Sequence, residues 1–185
     1  MRIIFSLLMV FMLSACNQPP AQPPAAPAPE FKLDYPIAEI MEHIVMPNAD
    51  ALWGSVETNV TEKGVDEKVP RTDDDWDKVR HYAVTLAEAT NLLLMPGRHV
   101  DEPGAKPQDA ATELTPEQIE ARIKQDPAMW TMHVHKLHDV VLQSIKAIDM
   151  KSPQGLIDAG DALDNACEGC HLVYWYPPKP GDPKP

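Results

Sequence analysis

Between residues 31 and 176 the apolar side chains recur every three or four positions, and strand-type alternation is absent. This spacing lines one face of a helix with apolar groups, so it constrains the fold more than any other feature of the chain. The first stripe runs Ile37, Ile40 and Met41, Ile44 and Val45, Ala51 and Leu52, then Val56, and Pro36 suits its first turn. Pro47 lies inside it, and a ring without an N–H predicts a kink or break near Met46. Thr72 and Asp75 mark the start of a second helix, with an apolar face of Trp76, Val79, Ala83, Leu86 and Leu93 and a stop at the "MPGR" that follows. Residues 100–114 read as a loop. Thr115, Pro116 and Gln118 open a short helix. Asp126 with Pro127 opens the third long helix, carrying Trp130, Val134, Leu137, Val140 and Ile148. Ser152 with Pro153 opens the fourth, carrying Leu156, Ala159, Leu163 and Ala166. Four long helices joined by loops predict an all-α antiparallel four-helix bundle spanning residues 31–176.

The start of the chain does not belong to that domain. Arg2 and an apolar run over residues 3–13, too short to cross a bilayer, read as a signal peptide over residues 1–15. The "LSAC" that ends in Cys16 resembles the lipobox of a bacterial lipoprotein, and that resemblance implies a lipid on Cys16 after cleavage. The Pro/Ala-rich residues 17–30 then read as an extended tether able to span about 40 Å. Residues 177–185 read as a disordered tail. The expected location is the periplasm, with the protein held to a bacterial membrane by its lipid.

A formal charge of −12 argues against nucleic acid as a partner and favours a protein with a basic docking patch.

The chain has three cysteines. With Cys16 assigned to lipid, Cys167 and Cys170 remain, and His171 follows directly in "CEGCH". Such a C-x-x-C-H serves as a haem attachment site, a zinc half-site or a redox dithiol. Zinc needs two more ligands, and no second cysteine pair exists; His133, His135 and His138 do not share one face. A redox dithiol is usually found at a helix start in a strand–helix pattern, whereas this motif falls near a helix end in a helical chain. Haem fits better: two thiols form thioether bonds to the macrocycle, and the adjacent imidazole binds its iron. The expected cofactor is therefore one covalent haem c on Cys167 and Cys170, with His171 as the proximal iron ligand.

The position of "CEGCH" at the end of the last helix, the order of four helices, and an apolar first helix containing Met41 and Met46 resemble the cytochrome c-prime family, the class II c-type cytochromes. The resemblance covers most of the chain, but only the haem motif within it is specific. It implies that the first helix faces the distal side of the haem with either an apolar residue or a ligating methionine. Met41, in the apolar stripe, is the first candidate for that sixth ligand and Met46 the second. With a methionine ligand the expected role is electron transfer to a redox protein partner. With an open sixth position, the alternative is a five-coordinate haem protein that binds NO or CO. An enzyme reducing nitrite or peroxide would need a distal acid/base set, which the sequence does not assign. The family also implies homodimers formed through helix packing, although no stripe here marks an interface. The long acidic connections near residues 61–71 and 100–113 depart from the compact family pattern.

The remaining polar features have simpler readings. His81, His99, His133, His135 and His138 read as helix-surface or loop residues, and His43 as solvent-facing. Arg98 suits a surface position, or a pairing with a haem propionate. Trp53, Trp76, Trp130 and Trp175 read as core or haem packing.

Overall fold

The structure, a computed structural model, describes residues 30–178. The expectations for Cys16, the signal peptide, nearly all of the tether and most of the tail lie outside the described residues. Among the described residues, 62% are helical and one small two-stranded sheet is present, which places the molecule in the mostly helical class.

The first helical segment runs α1 (Ile37–Ile40), a π-helical turn (Met41–Val45) and α2 (Met46–Trp53). The chain stays helical through Pro47, so of the kink or break expected near Met46 the break does not occur. The irregularity falls one turn earlier, where the π turn admits an extra residue and relieves the proline's conflict with the preceding turn. The Ile44 carbonyl in this widened stretch accepts from the Asn48 side-chain amide at 2.6 Å. The extra residue also rotates the apolar face, so Ala49 is buried with Leu52 and Ala51 is only half-buried.

β1 (Glu57–Thr61) and β2 (Gly64–Lys68) form an antiparallel hairpin with Val60 opposite Val65. Its presence corrects the expectation of a chain without strands. Every residue in it is exposed, so it has no buried face and no apolar alternation to reveal it. Gly64 closes the turn at φ 129°, a backbone conformation open to glycine.

α3 (Asp73–Leu93) begins with the expected capping box: the Asp75 amide donates to Thr72 Oγ1 at 3.1 Å, and the Thr72 amide donates to Asp75 Oδ2 at 3.0 Å. α4 (Pro116–Gln125) repeats the device with Thr115 and Gln118. α5 (Pro127–Asp149) is capped by Asp126, and α6 (Pro153–Tyr174) by Ser152, whose Oγ accepts from the Gly155 amide.

Cross-contacts fix how the helices run. Trp130, near the start of α5, donates from Nε1 to the Leu93 carbonyl at the end of α3. Arg80, early in α3, pairs with Asp149 at the end of α5. These two helices are therefore antiparallel. Tyr174, at the end of α6, stacks edge-on against Trp130, so α5 and α6 are antiparallel as well. The amides of Ile37 and Ala38 donate to the carbonyls of His99 and Val100, tying the start of α1 to the segment after α3. α2 packs on both α3 and α6. Among the described residues, α6 has no comparable packing against α1 or the π turn. The buried core runs from Ile37 and Ile40 through Leu86, Val141 and Leu163 to Tyr174.

Candidate functional site

The motif sits one turn from the end of α6. Cys167, Cys170 and His171 stand at i, i+3 and i+4, within an arc of about 100° on one helical face. Both cysteines are free, half-buried and packed against the core. Burial, with Asp164 nearby, pushes the Cys167 thiol up to about 11. Burial, with Cys167 nearby, pushes the Cys170 thiol up to about 12. At neutral pH both are thiols. A redox dithiol needs a lowered thiol pKa and usually takes it from a helix N-terminus. These two lie toward the negative C-terminal end of α6, in the opposite environment.

His171 is half-buried, and burial holds its imidazole below its ordinary range despite the nearby Glu168 carboxylate. Its Nδ1 lies 3.3 Å from the Tyr176 hydroxyl oxygen, and that hydroxyl lies 2.7 Å from Glu168 Oε2. A hydroxyl has one proton to give, and a carboxylate only accepts. Tyr176 therefore donates to Glu168 and accepts from His171, which places the ring proton on Nδ1. Nε2 is left with its lone pair.

The surrounding chain braces this end of α6. The amides of Trp175 and Tyr176 both donate to the His171 carbonyl, at 2.7 and 3.0 Å. Arg122, from α4, donates to the Val173 carbonyl at 2.8 Å, satisfying a helix-end acceptor. The Leu114 amide donates to the Trp175 carbonyl at 2.8 Å, so the loop before α4 is pinned to the same end. Tyr174 is 2% exposed and touches both Trp130 and His133 ring edges.

Further along the same face, a groove of about 420 Å³ opens between α2 and α6 beside Trp53, Val56, Gly160, Asp161 and Asp164. Trp53 Nε1 donates to the Gly160 carbonyl at 3.1 Å, and a Cβ on Gly160 would meet the Trp53 ring at 3.2 Å. Asp164 precedes Cys167 by one turn, so the groove and the motif share a side of the helix.

The structure separates the two methionines. Met41 lies in the π turn, half-buried against the core. Met46 is 51% exposed. His43 faces solvent beside Glu39 at 3.2 Å. Arg98 is engaged with its own surroundings: its guanidinium donates to the Leu92 carbonyl at 2.9 Å and to the Tyr35 carbonyl. His138 is half-buried. Its Nδ1 lies 3.0 Å from Thr90 Oγ1 and 3.2 Å from the Ala87 carbonyl, so it serves the interface of α3 and α5. Among the described residues no three His, Cys, Asp or Glu side chains converge to hold a metal ion.

Sequence reasoning found the two thiols and the imidazole but missed Glu168 and Tyr176. Proximity alone was visible, since Glu168 lies between the cysteines and Tyr176 follows His171 by five residues, but the direction of the Tyr176 ring was not.

Comparison of the chain with protein-family models, curated proteins and solved structures returns no match.

The donor set suits a covalently held haem. It offers two neutral thiols without a disulfide partner, on one helical face with an imidazole whose Nε2 is free to ligate. In that arrangement Cys167 and Cys170 would hold the macrocycle and His171 would take the iron.

Proposed function

We propose that the protein is a monohaem c-type cytochrome that carries electrons, tethered by a lipid on Cys16 to a bacterial membrane and facing the periplasm. The observation that carries this reading is the shared face of Cys167, Cys170 and His171, with Nε2 of the imidazole left as a lone-pair donor. The antiparallel contacts among α3, α5 and α6, with α2 packed on both α3 and α6, support an antiparallel four-helix bundle of the cytochrome c-prime kind.

Haem supplies a one-electron redox change when bound. The chain supplies attachment through its thiols, a ring oriented at Nδ1, and apolar packing beside the motif. Its acidic surface suits a small, transient contact with a basic redox partner.

Covalent haem is tested on a denaturing gel. Haem-dependent peroxidase staining should survive boiling, and either Cys167→Ala or Cys170→Ala should weaken or remove it. Extraction of the haem from wild-type protein into acid–acetone would defeat the assignment.

One observation favours a second reading, a five-coordinate haem that binds NO or CO. Met41 packs into the core, and its π turn lacks the packing on α6 that α2 has. An optical spectrum of reduced protein with and without CO separates the two. A low-spin spectrum unmoved by CO supports electron transfer, and a high-spin spectrum shifted by CO supports gas binding.

A further inference from the structure

We propose that Tyr176, anchored by Glu168, is the positioning residue for His171. It accepts the Nδ1 proton and so fixes which imidazole nitrogen can ligate iron and how strongly that nitrogen donates. The inference rests on the haem reading above and adds a residue pair to it.

Three observations converge on it. The hydrogen bonds run in one direction, from His171 Nδ1 to the Tyr176 hydroxyl at 3.3 Å and from that hydroxyl to Glu168 Oε2 at 2.7 Å. The backbone that carries Tyr176 is held in place, because its amide and that of Trp175 both donate to the His171 carbonyl. The rings of His171 and Tyr176 also meet edge-on, with centroids 5.7 Å apart. Glu168 sits one turn before His171 within α6, so the acceptor at the end of the relay is on the same helix as the imidazole.

The chemistry follows from where charge is drawn. A ligating histidine commonly gives its second N–H to a carboxylate or carbonyl, which sets its tautomer and makes it a stronger donor. Here a phenol stands between ring and carboxylate. The Glu168 charge polarises the Tyr176 O–H, making its oxygen a better acceptor for the Nδ1 proton. The imidazole gains electron density at Nε2. A stronger donor stabilises oxidised iron over reduced iron, so the relay should hold the reduction potential down.

The experiment uses the full-length, haem-loaded chain and reads the midpoint potential. Tyr176→Phe keeps the ring and removes the acceptor. It should favour reduced haem by about tenfold, a rise of about 59 mV for one electron. Glu168→Gln keeps an acceptor for the tyrosine but removes the charge, so the potential should rise by a smaller amount. This second variant keeps the tyrosine and serves if Tyr176→Phe folds poorly; circular dichroism checks the helix content of both. An unchanged or lowered potential in either folded variant overturns the proposal. In that outcome the haem stain remains, which separates the result from failure of the haem reading. A wild-type chain without covalent haem overturns both.

Discussion

Met41 shows how far a single residue can carry an argument. A helical methionine most often fills core space, and its thioether is flexible enough to ligate a metal as well. The structure gives it core contacts and leaves Met46 at 51% exposed, so Met41 is the residue to test. Met41→Leu conserves volume and should cost less than about 1.5 kcal/mol. If Met41 ligates the iron, the variant's optical spectrum should turn from low to high spin with new CO binding. A low-spin spectrum that survives removes Met41 from the iron. The thiols and His171 were legible because three chemical groups sit within five residues. The Tyr176–Glu168 relay was not, because a tyrosine after a helix end has no fixed direction in sequence. Only the turn that brings its amide to the His171 carbonyl sets that direction.

At the level of elements, start signals were the most reliable part of the reading. Thr72, Thr115, Asp126 and Ser152 all cap the helices expected of them. Thr72→Ala should lower stability by about 1 kcal/mol, read as a fall of about 3 °C in Tm. The Asp75 carboxyl, held below its ordinary 3.8 mainly by the Thr72 amide and then by the Thr72 hydroxyl, adds a pH dependence. A depressed carboxylate pKa stabilises the folded state fully above the unfolded value. That contribution is lost as pH falls below about 3.8. Asp75→Asn should therefore flatten the acid limb of an unfolding curve in that window. Two elements were illegible for different reasons: the hairpin buries nothing, and the π turn breaks the helical period. The hairpin stands on its ladder, with Val60 79% and Val65 64% exposed. The π turn changes the helical period in mid-segment, so a 3.6-residue template carried through it misplaces the residues beyond. Replacing residues 57–68 with a short Gly/Ser linker should leave Tm nearly unchanged, because no core surface is lost.

For the whole molecule, the sequence revealed the helical class and the order of the long helices, because four separate stripes each had an opening signal. It did not reveal how the ends are tied together. Arg122 reaching the Val173 carbonyl, and Leu114 reaching Trp175, join segments far apart in the chain, and no local pattern encodes such pairs. The proposed anchor makes a prediction at this scale. Cys16→Ser should release the protein from the membrane fraction into the soluble periplasmic fraction, read by immunoblot after cell fractionation. Wild-type protein that is already soluble after lysis would remove the tether.

The braced end of α6 has a consequence for the order of folding. The loop before α4, α4 itself and α5 all precede α6 in the chain, so in a chain threaded N-terminus first the segments that brace α6 emerge before the motif. Once α6 docks, both thiols are half-buried and the helix end is pinned on two sides. If the motif carries the proposed haem, covalent loading would be easiest between emergence of the motif and closure of the helix. A chain that folded too quickly would then half-bury its thiols empty, and slow docking of the last helix would favour maturation.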